Sequence, residues 1–208
     1  MSMNSAMNSG PTAERVHEAL KRRIMGREFR PGDRLDPAVL AAPLSSSVTP
    51  IRDALHLLTG EGLVETRTSG GFHIPALDEP ALKDLYDWSA ELLTLSVHAW
   101  PRADTTILLP GEPEARSIAD RAGEIFLAVA RRSANGEHQR AVDRLNARLH
   151  AARSVEPHVL DGVEEELAAI GFAAASGERE ALRRLSTTYH RRRRRAAAAI
   201  VRAVYRVD

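Results

Sequence analysis

Residues 47–64, SVTPIRDALHLLTGEGLV, carry two faces with one helical repeat. On a helical wheel Ile51, Ala54, Leu55 and Leu58 point one way, into a core. Thr49, Arg52, His56 and Thr59 fall at i, i+3, i+7 and i+10 and point the other way. Ser47 is placed to cap the first turn, and Pro50 lies within that turn, where a missing N–H costs little. Gly60 and Gly62 are the expected stop. A helix start with free N–H groups, threonine hydroxyls and an arginine suits phosphates and the edge of a guanine. For one such helix alone, the plain alternative is a solvated polar face.

The neighbouring segments narrow the choice. TAERVHEALKRRIM (12–25) places Val16, Leu20 and Ile24 on one stripe, with Thr12 as N-cap and Gly26 as stop. FRPGDRL is a Pro-Gly turn into a short extended piece, and a second helix is expected from Asp36 to Leu44, ended by Pro43 and the serines behind it. After the quoted helix, LVETRTSGGFHIP predicts two short strands, 63–67 and 71–74, joined by Ser-Gly-Gly. Three helices followed by a hairpin is a winged helix-turn-helix, whose third helix enters the major groove.

From residue 80 the strand pattern disappears. Helices are expected at 79–99, 113–134, 137–153, 158–175 and 178–206, broken by Pro101, Pro110, Asn135-Gly136, Pro157 and Gly177. The fold class expected is mainly α: a winged helix-turn-helix with a small β-hairpin wing, then an all-α bundle. The expected divisions are a disordered tail over 1–10, a DNA-binding domain over 11–76, and a helical effector-binding and dimerisation domain over 77–208.

Composition excludes several classes. The chain has no cysteine, hence no disulfide framework, thiolate zinc site or cysteine nucleophile. No apolar run reaches the ~18–20 residues of a membrane span, and the N-terminus lacks a signal-peptide pattern, so a cytoplasmic location is expected. Residues 1–77 hold 9 Lys+Arg against 8 Asp+Glu, and the remainder 20 against 20. Neither half is a polyelectrolyte, so nucleic-acid binding must come from local charge. No phosphate loop, Gly-x-Ser-x-Gly or His-Glu-x-x-His motif is present, and no enzyme is expected.

PGDRL (31–35), VTPIRDAL (48–55), GEGLVE (60–65) and GGFHI (70–74), in this order and spacing, resemble the winged-helix domain of the GntR family of bacterial transcription regulators. The resemblance implies DNA contacts from Ser47, Thr49, Arg52, His56, Thr59 and the wing residue Arg67. It also exposes departures: Ala38, Val48 and Gly70 stand where the family usually carries a cation. LYDWSAELL (85–93) and NARLHAARSVEPHVL (146–160) resemble the FadR-type effector domain of that family, often called FCD.

The second resemblance implies a metal, zinc or nickel, with a carboxylate effector bound on it. Asn146 and His150 take the places of the usual Asp and His at i, i+4, and His190 is the next inward histidine. In one register His190 is the middle histidine of the family and the last is missing; in the other it is the last, and Leu167 stands at the middle. Either way one ligand is gone, and one Asn with two His is thin for tight zinc or nickel binding. Two histidines hydrogen-bonded within a core are the alternative.

HRRRRR (190–195) adds a further possibility. Five arginines cannot share one helix face, and the apolar stripe Leu182, Leu185, Tyr189, Ala196, Ile200, Val204 crosses the run at Arg192–Arg193. Intrachain pairing with Glu164–Glu166 is one reading and a nucleic-acid patch another. The third is a cationic cavity of Asn146, His150, His190, Arg193 and Arg194 that takes a carboxylate or phosphate without metal. The expected whole is a homodimeric regulator, a repressor, on double-stranded operator DNA; an interaction protein that has lost specific DNA binding is the alternative.

Overall fold

A computed structural model of the chain describes residues 9–68, 70–101 and 117–206. The chain divides into two compact units, Met1–Ala76 and Leu77–Asp208. Most of the described residues are helical, with one small three-stranded antiparallel sheet.

The first unit runs α1 (Ser9–Met25), β1 (Arg34–Leu35), α2 (Pro37–Ala41), α3 (Val48–Glu61), β2 (Glu65–Thr66) and β3 (Phe72–His73). Helix α1 begins three residues before Thr12, so Thr12 is not its N-cap, and residues 9 and 10 of the expected tail are helical; residues 1–8 lie outside the described set. Helix α2 is shorter than its pattern suggests. Asp36 caps it by accepting from the Ala38 N–H, and the chain has left the helix by Ala42, before Pro43 can intervene.

The wheel of α3 is as read: Ile51, Ala54, Leu55 and Leu58 are fully buried. With Val16 and Leu20 of α1 and with Leu35, Val64 and Phe72 they form this unit's core. Gly60 does not stop α3. Gly62 does, at φ 77, where a left-handed cap returns its N–H to Leu58 and Thr59. His17 and Lys21 of α1 reach Glu61 at 2.7 and 2.9 Å and fix the two helices together at this end. Burial pushes the Glu61 carboxyl up, but Lys21 and His17 outweigh it and hold the group below its usual range. The hairpin is also more than a hairpin. β1 pairs with β3, Arg34 opposite His73 and Leu35 opposite Phe72, so the strand order is β1-β3-β2. The Pro-Gly turn thus feeds an edge strand.

The second unit runs α4 (Glu79–His98), α5 (Ile118–Arg131), α6 (Gly136–Val155), a 3₁₀ turn (Glu156–His158), α7 (Val163–Ala175) and α8 (Arg179–Tyr205). Ser117 caps α5 through the Asp120 N–H; the expected start at 113 lies outside the described residues. Pro157 does not open α7 but sits in the 3₁₀ turn, and α7 starts five residues later than expected. α5 packs on α6 and α4 on α8. The core these helices share with α7 includes Leu82, Tyr86, Phe126, Leu149, Leu167, Ile170 and Tyr189. At its margin Trp100 is buried, donates its indole N–H to the Val129 carbonyl at 2.9 Å, and lies under the Arg132 guanidinium. No described helix is long and apolar enough to cross a membrane.

Candidate DNA-binding face and anion site

In the first unit, α3 presents its N-terminal turn to solvent. Ser47, Val48, Thr49 and Arg52 are exposed, and among the described residues Arg52 makes no hydrogen bond or ion pair. Ser47 has the extended backbone of an N-cap, but its side chain does not cap; the first-turn N–H groups therefore lack a side-chain partner there. That leaves them facing outward, as an incoming phosphate requires.

Further along, the polar face is less free than its pattern suggests. His56 is exposed yet packs edge-on against Phe72 of β3, ring centroids 4.9 Å apart. Thr59 turns its hydroxyl back to the Leu55 carbonyl at 2.8 Å. On the wing, Arg67 is exposed and pairs with Glu65 at 2.9 Å. Gly70 and Gly71 carry the chain through the turn at φ 85 and 87, where a side chain is strained. At such φ values glycine is the residue that sits without strain, at Gly70 as at Gly71.

In the second unit the structure redistributes the expected cavity residues. His190 is buried. Its Nδ1 lies 2.7 Å from the Ser186 carbonyl and its Nε2 2.9 Å from the Ser89 hydroxyl. This pattern places the proton on Nδ1 and leaves Nε2 as acceptor. Burial first, then the charges of Arg153 and Arg193, lower its pKa to about 3, so the ring is neutral. His150 lies elsewhere, on Asp120 at 3.0 Å, with its Nδ1 buried and unpartnered. Burial pushes the Asp120 carboxyl up, but the Ser117 and His150 bonds bring it below its usual range.

Arg193 and Arg194 do not offer free cations. Arg193 is fully buried, with Glu156 at 2.8 Å and Glu166 at 2.6 Å, and its guanidinium lies over the Tyr189 ring. Tyr86 donates to the other Glu156 oxygen at 2.8 Å. Arg194 is at the surface beside Asp87. The pairing of the arginine run with Glu166 thus holds for Arg193 and Arg192, and Glu156 is a partner the sequence did not mark. The helix's buried stripe is Leu182, Ser186, Tyr189, His190, Arg193, Ala197, Ile200 and Val204. Leu185 and Ala196 are only half-buried, so the stripe is rotated toward the polar residues.

Asn146 leads to a residue the sequence reading passed over. Its amide N–H donates to the Gly123 carbonyl, and its Oδ1 accepts from Arg153 Nη1, both at 2.8 Å. Arg153 is fully buried, with its guanidinium over the Phe126 ring. It lies seven residues after Asn146 and three after His150, on the inward face of α6, and that spacing was the available signal.

This donor set does not fit a divalent metal on Asn146, His150 and His190. Both His190 nitrogens are engaged, and the Asn146 oxygen already faces a guanidinium, which repels a second cation. Among the described residues no three His, Asp or Glu side chains come together as a ligand set.

Residues 12–74 match the family described as bacterial regulatory proteins, gntR family. The Nta operon transcriptional regulator of Aminobacter aminovorans is 45% identical over 64 residues, 31% of this chain and 30% of that protein. The uncharacterized HTH-type transcriptional regulator YdhC of Bacillus subtilis is 28% identical over 134 residues, 64% of this chain and 55% of that one. The chain thus spans about a third and about half of these relatives' lengths. Among solved structures, a transcriptional regulator GntR from Rhodococcus sp. RHA1 matches with TM-score 0.75 at 20% identity, covering 91% of this chain and 98% of that one. E. coli McbR/YncC matches with TM-score 0.62 at 18% identity, covering 94% and 99%. At these identities the structural likeness is one of fold. The sequence match, the four ordered motifs and the completed wing agree: residues 12–74 form a domain similar to the winged helix of the gntR family of bacterial regulatory proteins.

Proposed function

We propose that the chain is a DNA-binding transcription regulator, a repressor acting in the cytoplasm as a homodimer. Residues 11–76 serve as the DNA-binding domain. Residues 77–208 serve as a FadR-type effector-binding and dimerisation domain that takes a small anion. The observation that carries this reading is the outward N-terminal turn of α3, with Thr49 and the unpartnered Arg52, beside a wing built from β2 and β3. A dimer would present two such helices to half-sites related by its own two-fold axis. The naming of one relative as the regulator of an operon supports the same role.

A selection from random DNA with the full chain is expected to enrich an inverted repeat. Arg52→Ala should weaken binding to the enriched sequence by ~10- to 100-fold at fixed salt, the worth of a bidentate guanine contact. Its melting temperature should stay within a degree or two, because an exposed side chain without partners is being removed. A pool that enriches nothing would favour the second reading, an interaction protein on the same fold. The neutral residues Ala38, Val48 and Gly70 motivate that alternative.

A further inference from the structure

The winged-helix unit carries a cation that none of the expected DNA contacts includes. Arg34 lies on β1, an edge strand, and is exposed. Among the described residues it makes no hydrogen bond or ion pair. The acids next to it in the chain are turned elsewhere: Asp33 accepts from the Arg30 N–H at 2.8 Å, and Asp36 caps α2. A guanidinium keeps its proton at any ordinary pH, so this charge is available to a partner.

The sheet sets its place. Arg34 stands opposite His73 on β3, the strand that leaves the wing turn. A β carbon added to Gly71 would meet Arg34 Nε at 3.5 Å and Nη2 at 3.9 Å, and His73 Cε1 at 3.7 Å. The guanidinium edge thus lies along the flank of the turn, against the side that Gly71 leaves bare. A β carbon on Gly70 would meet nothing within 4 Å, so the turn itself is open to an approaching molecule. Arg67 closes the other side of the turn, its carbonyl accepting from the Gly70 N–H at 2.8 Å. Its charge is offset by Glu65 at 2.9 Å. Arg34 therefore brings an uncompensated positive charge to a turn without side chains at 70 and 71. Its Nε and Nη2 groups form the edge that matches two phosphate oxygens.

We propose that Arg34 binds a DNA backbone phosphate beside the wing turn and contributes affinity without sequence preference. The proposal rests on the first unit being a DNA-binding domain and adds a contact outside both α3 and the hairpin. With Arg52 on α3 it gives the duplex a second point of attachment, which fixes its orientation on the domain.

The full chain is titrated into two labelled duplexes over a range of potassium chloride concentrations. One carries the sequence enriched by selection, the other a scrambled sequence of the same length. Arg34→Gln should weaken both by the same factor, several-fold, and lower the log–log salt slope by about 0.9 per subunit bound. Arg34→Lys keeps the charge and should keep the slope. Arg52→Ala, by contrast, should act chiefly on the enriched duplex. Neither change at Arg34 should move the melting temperature by more than a degree or two, since an exposed side chain without partners is altered. If Arg34→Gln does not fold, acetylation of the Arg34→Lys chain decides: bound duplex of either sequence should shield the new amine, with Lys83 of the helical unit as reference. An unchanged salt slope in Arg34→Gln, a loss confined to the enriched duplex, a lowered melting temperature with the slope retained, or an amine acetylated equally with and without duplex would overturn the proposal. If the parent chain binds neither duplex, the DNA-binding reading falls and this contact with it. If the parent binds and Arg34→Gln binds equally well, that reading stands and this contact alone fails.

Discussion

His190 and Arg153 are both buried and polar, but their surroundings differ. His190 has a partner on each nitrogen, and neutrality costs it nothing at ordinary pH. In the unfolded chain the same ring takes a proton near pH 6.5, whereas in the fold burial and the two neighbouring guanidinium groups delay this to about pH 3. Between those values the unfolded state binds more protons. The folded state therefore loses stability as pH falls below 6.5, by up to ~1.4 kcal/mol per pH unit from this residue. Denaturant unfolding at pH 6.5 and pH 5 measures the slope, and His190→Gln should flatten it by about one proton. An unchanged slope would mean that the ring titrates freely in the fold. At this scale the sequence was partly legible. Asn146, His150 and His190 were found as inward polar residues, but inwardness does not say which partner a side chain meets. That depends on packing between α4, α6 and α8. The inward place of Arg153 runs against its residue type, because arginine carries a strong expectation of exposure.

The helices were the most legible elements, because a repeat of 3.6 with Gly and Pro breaks survives in any context. Boundaries moved at C-termini: α2 ends at Ala41, ahead of Pro43, and α3 runs through Gly60 to the second of its two glycines, Gly62. The wing strands lie within the expected 63–67 and 71–74, whereas the sequence marks β1 only as an extended piece, since pairing with β3 is a long-range fact. Helix α8 shows the same limit. Its five arginines cannot share one face, and Arg193 is drawn inward. Its main anchor, Glu156, sits in the 3₁₀ turn 37 residues earlier, which no periodicity could reveal. Glu156→Gln keeps the shape and the Tyr86 contact but removes the charge facing Arg193. A loss of about 3 kcal/mol is expected in denaturant unfolding, at the low end for breaking a buried pair because Glu166 still faces the guanidinium. Adding Arg193→Met to that change should restore part of the loss. A double variant as unstable as the sum of both singles would show that the two residues act independently.

For the whole molecule, a net charge of +1 over 208 residues gives DNA little general attraction. Binding must then rest on a few contacts, and its salt dependence should be shallow. Val48 stands exposed at the first position of α3, where an arginine would reach a phosphate. Val48→Arg is expected to tighten binding and to steepen the log–log salt slope by about 0.9 per subunit bound. A slope that does not change would place Val48 away from the DNA. The division into two units also separates what each experiment sees. Both tryptophans, Trp88 and Trp100, belong to the helical unit, one about half exposed and the other buried beneath Arg132. Intrinsic indole fluorescence is accordingly a reporter of that unit alone: a shielded emitter and a quenchable one, both blind to the winged helix. An unfolding curve followed by this light can look complete while the DNA-binding half contributes no signal, and only a backbone probe such as far-ultraviolet dichroism would register both.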